Sequence, residues 1–165
     1  MLDNFLIIYI IFSRISELIL SYINTKNLMN RGGKEYYSSH YFLIVIFHII
    51  FIIYFLILSL KTVQINLTFL YLFIILQFVR YKVIYDLGKY WTTRIIVIED
   101  EPLVKRGLYK YFRHPNYAVV LVEIILICLI FSEFTALIFF SLIKLILISI
   151  RINYENKANS RRRFD

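Results

Sequence analysis

At 165 residues, 60% of them hydrophobic and with a mean hydropathy of +0.70, the chain carries more apolar surface than one soluble core can hide, so the bilayer is its main solvent. The single cysteine, Cys128, lies in an apolar run and excludes an internal disulfide or a Cys-based zinc site, while four glycines without a G-x-G-x-x-G pattern argue against a soluble dinucleotide domain. The net charge of +8 reads as membrane topology and contact with anionic headgroups rather than as nucleic-acid binding.

Five apolar stretches follow in chain order, at residues 2–23, 41–60, 67–84, 117–131 and 134–150. The first three match the roughly 20 residues that a membrane-spanning helix requires. The first carries Arg14 and Glu17 and lacks a small-residue cleavage site, so it reads as a retained helix rather than a signal peptide. The last two are short and separated only by Ser132 and Glu133, which predicts a tight helical hairpin. With no internal repeat or low-complexity linker, residues 1–165 form one domain. The expected fold is an all-α integral membrane protein of about five transmembrane helices, with a C-terminal hairpin and a cytoplasmic loop.

Lysine and arginine in short loops stay on the cytoplasmic side. They crowd into residues 24–40 (Lys26, Arg31, Lys34), residues 80–116 (Arg80, Lys82, Lys89, Arg94, Lys105, Arg106, Lys110, Arg113) and the tail (Arg151, Lys157, Arg161, Arg162, Arg163), against Lys61 alone on the opposite side. The amino terminus is therefore expected outside and the carboxyl terminus inside. Charges within spans need partners: Arg14 and Glu17, three apart on one helix face, form one expected pair, and Glu123 and Lys144 another across the hairpin. His48 reads as a packing residue. His40, His48 and Glu17 have no metal-ligand spacing, and no metal site is expected.

Between Asp86 and Tyr117 the chain turns loop-like, with Gly88, Pro102, Gly107 and Pro115 as punctuation. The β-branched run at residues 95–98 is broken by Glu99-Asp100-Glu101-Pro102. Gly107 permits a turn before Tyr109. Pro115 suits the first position of a helix, with His114 biased away from helical angles before it. The unpaired N–H groups of that helix start, together with Arg113 and His114, make an anion-attracting lip; the plainer alternative is an arginine on headgroups and an interfacial Tyr117. Arg151 and Glu155, four apart on a helix leaving the membrane, are expected at the same membrane face and can converge on that lip.

Leu87-Gly88-x-x-Trp91, then Pro102-Leu103-Val104-x-x-Gly107-x-Tyr109-x-x-x-Arg113-His114-Pro115-Asn116-Tyr117, then Arg151-x-x-x-Glu155, resembles the isoprenylcysteine carboxyl methyltransferase family of integral membrane enzymes. The front half is similar to its small bacterial branch in Arg14-x-x-Glu17, Arg31-Gly32, Glu35 and His40-Tyr41. The resemblance implies an O-methyltransferase of the bacterial cytoplasmic membrane, with S-adenosyl-L-methionine as methyl donor and a lipophilic acceptor entering from the bilayer. It places the cofactor part at about residues 87–165. Glu101, Pro102, Leu103 and Val104 would line the cofactor cleft, Tyr109 would contact the cofactor, and His114, Pro115, Asn116 and Tyr117 would hold its polar end. Glu155 matches the cofactor-binding glutamate, and Arg151 the catalytic, acceptor-orienting arginine. Asn156 stands where the family often has a second glutamate, and the short basic tail departs from the longer eukaryotic enzymes. Both departures point away from a prenylated protein and toward a small amphiphile bearing a carboxylate or an acidic hydroxyl, as in an alkylpyrone.

Two other readings compete. Sterol-type membrane reductases that use NADPH carry a similar Arg-His-Pro-x-Tyr element but are generally larger. A non-catalytic membrane interaction protein would use the basic inner face alone.

Overall fold

Twenty-odd-residue apolar runs have no way to satisfy their backbone in lipid except as helices, and helices account for most of the structure. The computed structural model describes residues 2–61, 64–99 and 101–160. Asp100 and the basic tail Arg161, Arg162 and Arg163 lie outside the described residues. Five helices follow in order: α1 (Leu2–Asn30), α2 (Ser38–Ser59), α3 (Leu67–Leu87), α4 (Pro115–Ile130) and α5 (Phe134–Ala158). Two three-residue strands, β1 (Lys34–Tyr36) and β2 (Ile95–Val97), pair antiparallel with Glu35 opposite Ile96.

Four of the helices, α1, α2, α3 and α5, are long and apolar enough to cross a membrane, while α4 has 16 residues, about 24 Å of helix. The chain is an all-α, multi-pass membrane protein. Its short fourth helix is also its most enclosed: Glu123, Ile124, Ile127, Cys128 and Ile130 are all buried, because α4 packs between α3 and α5. Large apolar side chains such as Phe5, Ile8 and Phe12 on α1, and Ile138 and Phe139 on α5, instead face outward.

The hairpin between α4 and α5 is as short as its sequence predicts. Ser132 takes a left-handed conformation (φ 57°), and the amide of Glu133 donates back to the carbonyl of Cys128 at 2.9 Å. Two long-range bonds gather the other helices at this end: the Asn66 amide to the Ile130 carbonyl (2.8 Å), and the Tyr54 hydroxyl to Glu133 (3.0 Å). Below them Phe51 meets Phe140 edge-to-face with ring centroids 5.0 Å apart, part of an aromatic seam with Phe47, Phe55 and Phe131.

Three sequence expectations need correction. Helix α5 is not short: it runs past residue 150 to Ala158, because Arg151, Tyr154 and Glu155 turn polar side chains inward rather than ending the helix. Glu123 does not pair with Lys144. Its partners are Arg14 and Arg80, and Lys144 sits against His48 instead. Arg80 is accordingly not a loop charge but a buried residue of α3, 2% exposed.

Arg80 builds the centre of the bundle. Its Nε and Nη2 fork onto both oxygens of Glu17 and its Nη1 reaches Glu123, while Arg14 donates to Glu17 at 3.0 Å and to Glu123. Gln77 adds a bond to Glu123 (3.4 Å) and accepts from Tyr9 (3.1 Å). Two arginines and two glutamates thus cancel in charge while tying α1, α3 and α4 together. Replacing Arg80 with Met leaves two buried carboxylates sharing one cation and is expected to cost about 3–5 kcal/mol. A detergent-state thermal melt should show the loss, and Glu17→Gln placed in the same chain should restore part of it; a transition unmoved by Arg80→Met would show that the quartet does not hold the bundle.

Candidate functional site

The loop between α3 and α4 is fixed before any ligand is considered. Asp86, at the end of α3, accepts from the amide of Leu108 at 2.9 Å, and Arg106 donates to the Asp86 carbonyl. Gly107 lies between them with φ +53°, and a Cβ there would fall 2.1 Å from the Asp86 carboxylate. Only glycine fits this turn, for lack of space as well as for conformation.

The front half of the chain latches the same loop from the other side. Arg94 grips both oxygens of Glu35 at 2.9 and 3.0 Å while lying over Tyr41, and Lys34 meets Glu99 at 3.1 Å. Arg31 pairs with Glu101, whose carboxyl is held below its usual range by a hydrogen bond with Tyr90 and by the Arg31 guanidinium. Asn24 donates to the carbonyls of Gly88 (3.1 Å) and Trp91 (2.8 Å), and the Ser21 hydroxyl accepts from the Thr93 amide (2.9 Å). The strand pair β1–β2 completes a collar around the start of the loop.

Helix α4 begins as its sequence predicts, with Pro115 at the first helical position and His114 (φ −134°, ψ 56°) before it. The lip and the end of α5 converge. The Nδ1 atom of His114 lies 3.2 Å from Glu155, and Arg151 donates through Nε to the Tyr117 hydroxyl (2.8 Å) and through Nη1 to the Thr93 carbonyl (2.7 Å). The rings of His114 and Tyr117 stack at 5.4 Å. Arg151 and Glu155, although four apart, pair with these loop and helix partners and not with each other within salt-bridge distance, so they are not an ordinary surface ion pair.

These groups line a cavity of about 890 Å³, large enough for a nucleotide-sized ligand. Glu101, Pro102, Leu103, Val104, Tyr109, His114, Asn116, Tyr117, Arg151 and Glu155 all form its wall; Pro115 stands outside it and acts on the site by starting the helix. Three polar atoms on the wall are buried without a hydrogen-bond partner among the described residues: His114 Nε2, the Tyr109 hydroxyl and Trp91 Nε1. Burial, with the Glu155 carboxylate nearby, pushes the Tyr109 hydroxyl pKa up, so it stays a neutral donor. Unsatisfied buried groups are costly, and three around one cavity describe a seat for a polar ligand.

A second cavity of about 220 Å³ opens beneath the first, between α1, α2 and α5. Its surface is mainly apolar, with Leu18, Ile44, Ile49, Val120 and Leu147, but Arg14, Glu17, His48, Arg80 and Lys144 also reach it. Trp91, Thr92, Asn116, Tyr117 and Arg151 belong to both cavities and form the partition between them. Sequence reasoning did not single out Trp91, Thr92 or Thr93 as site residues. The signal available was Trp91 itself, the chain's one tryptophan, standing at a fixed spacing after Leu87-Gly88.

Comparison with known proteins gives the family of the chain. Residues 67–160 match the isoprenylcysteine carboxyl methyltransferase (ICMT) family, a stretch that contains the whole loop and both site helices. The chain belongs to that family, and so to the membrane methyltransferases. It is 36% identical over 160 residues to the uncharacterized protein YpbQ of Bacillus subtilis (strain 168), covering 93% of this chain and 94% of that one. It is 30% identical over 156 residues to an uncharacterized protein of Haemophilus influenzae, covering 89% and 88% respectively. No solved structure matches the chain.

The Gly107 turn offers a test of the loop that does not depend on any ligand. Gly107→Ala is expected to break the Leu108–Asp86 bond and accelerate trypsin cleavage at Lys105, Arg106 or Lys110, with little change in the thermal transition of the helices. Cleavage at the native rate would mean that the turn has room the structure does not show.

Proposed function

We propose that the protein is an S-adenosylmethionine-dependent O-methyltransferase acting on a carboxylate or acidic hydroxyl of a lipophilic acceptor, isoprenylcysteine-like or alkylpyrone-like. The observation that carries this reading is the shared partition: a polar cavity suited to the donor and an apolar cavity suited to an acceptor meet at Trp91, Tyr117 and Arg151.

The donor fits the residues present. Glu155 and the unpartnered His114 Nε2, Tyr109 hydroxyl and Trp91 Nε1 offer acceptor and donor atoms for a ligand with an amino-acid end and a nucleoside. Leu103, Val104 and Pro102 supply the apolar part of the same wall. The bound sulfonium supplies an already activated methyl group, so the protein's task is mainly alignment in a water-poor cleft. Arg151 is held by Tyr117 and Thr93 at the partition, where its remaining N–H groups can fix the acceptor oxygen by charge-assisted hydrogen bonds. An acceptor that is already anionic leaves no obligatory general base. The loop, the end of α5 and the basic segment at residues 24–40 lie at one end of the bundle, and the charge bias supports setting that end at the inner face of a bacterial cytoplasmic membrane.

Binding of radiolabelled S-adenosylmethionine to the detergent-purified chain is expected, and Glu155→Gln should weaken it about 10- to 100-fold. Arg151→Lys keeps the charge but loses the planar fork; it should slow single-turnover methylation of a prenylcysteine or alkylpyrone acceptor while leaving cofactor affinity nearly intact. Equal loss of cofactor affinity in both variants would overturn the division of labour. Separately, reporter fusions after Leu60 and after Asp165 should report opposite sides of the membrane; the same side for both would refute the topology.

A further inference from the structure

The sequence pairs Lys144 with Glu123, and the structure does not. Lys144 lies midway along α5, 4% exposed, and among the described residues no carboxylate comes within 4.0 Å of it. Its neighbours are His48 Nε2 at 3.4 Å and the face of Phe47, 5.3 Å from Nζ to the ring centroid. The His48 Nδ1 atom faces the Ile44 carbonyl at 2.7 Å; a carbonyl only accepts, so Nδ1 carries the proton and Nε2 is left to accept from Lys144. Histidine in this form can accept from the Lys144 amine but supplies no counter-charge to it.

Basic side chains around the acceptor cavity therefore outnumber the carboxylates within 4.0 Å of them. Arg14 and Arg80 are cancelled by Glu17 and Glu123. Arg151 is held by a hydroxyl and a carbonyl, both neutral. Lys144 is a second basic side chain with no carboxylate of the described residues within 4.0 Å, on the same face of α5 and seven residues before Arg151, roughly 10 Å deeper along the axis. Buried charge in a membrane is retained where a partner or a wet cavity meets it, and Lys144 opens on the cavity. We propose that Lys144, seated against His48, is a specificity-determining residue of the acceptor cavity beside Arg151: it favours amphiphiles whose head bears an anionic oxygen over neutral amphiphiles of the same chain length. This rests on the acceptor reading of that cavity, but it concerns binding and not turnover.

The test uses the full chain in a neutral detergent, with N-hexadecanoylglycine and its uncharged primary amide as a matched pair of probes. The emission of Trp91, which lines both cavities, reports binding. The native protein should bind the carboxylate about 10- to 100-fold more tightly than the amide. Lys144→Met should reduce that preference at least about fivefold, with Arg151 supplying what remains and with amide and S-adenosylmethionine affinities unchanged, and Lys144→Arg should retain it in full. If Lys144→Met does not remain monodisperse, Lys144→Gln carries the same expectation. A native protein without preference, or a neutral variant that keeps it in full, overturns the proposal. Charge-selective binding reduced in Lys144→Met, in a protein that binds no S-adenosylmethionine, would uphold Lys144 and defeat the methyltransfer reading instead.

Discussion

Charge pairing inside a low-dielectric bundle is the constraint on which the rest of the structure depends. A carboxylate or guanidinium in the bilayer is tolerated only with a partner, and the quartet of Arg14, Glu17, Arg80 and Glu123 satisfies four such groups at once. The arrangement is specific because Arg80 uses its planar fork on both oxygens of Glu17 and a third nitrogen on Glu123. Helix association in lipid has little hydrophobic driving force. The quartet therefore supplies direction, setting α1 against α3 and α4 and leaving the smaller, mainly apolar cavity open beside it.

From that frame the site follows by short steps. Helix α4 starts at Pro115 because the ring suits the first helical position, which brings His114 and Tyr117 to the rim. Helix α5 continues past the apolar run, and its last turns deliver Arg151 to Tyr117 and Glu155 to His114. The loop between α3 and α4 is held at Asp86 and Gly107 on one side and by Glu35, Arg31 and Asn24 on the other. A loop fixed at both sides can present Tyr109 and Trp91 with unpartnered polar atoms, a cost that a ligand would offset.

Much of this was legible in the residues. The hairpin at Ser132-Glu133, the helix start at Pro115, the turn at Gly107, the Arg14–Glu17 pair and the convergence of α5 with the lip each rest on a local rule: a capping geometry, a permitted φ, or an i, i+3 or i, i+4 spacing. What was not legible depends on packing between distant segments. Arg80 stands close to Lys82 and the basic loop, so only the approach of α4 reveals it as the partner of Glu123. Glu123 and Lys144 can carry opposite charges on neighbouring helices, yet Glu123 turns to Arg14 and Arg80 and Lys144 to His48. The pairing of Lys34–Tyr36 with Ile95–Val97 joins segments some sixty positions apart, and three residues are too few to announce a strand.

The central claim is that donor and acceptor meet across the partition formed by Trp91, Tyr117 and Arg151. Its most direct test is transfer of label from S-[methyl-³H]adenosylmethionine to the organic-soluble fraction of membranes that contain the full chain, compared with matched membranes lacking it. The account predicts chain-dependent tritium in an apolar product, released as methanol by alkali where the acceptor is a carboxylate and retained where it is an acidic hydroxyl. Label confined to the aqueous phase or to water-soluble protein, with no chain-dependent apolar product, would contradict it.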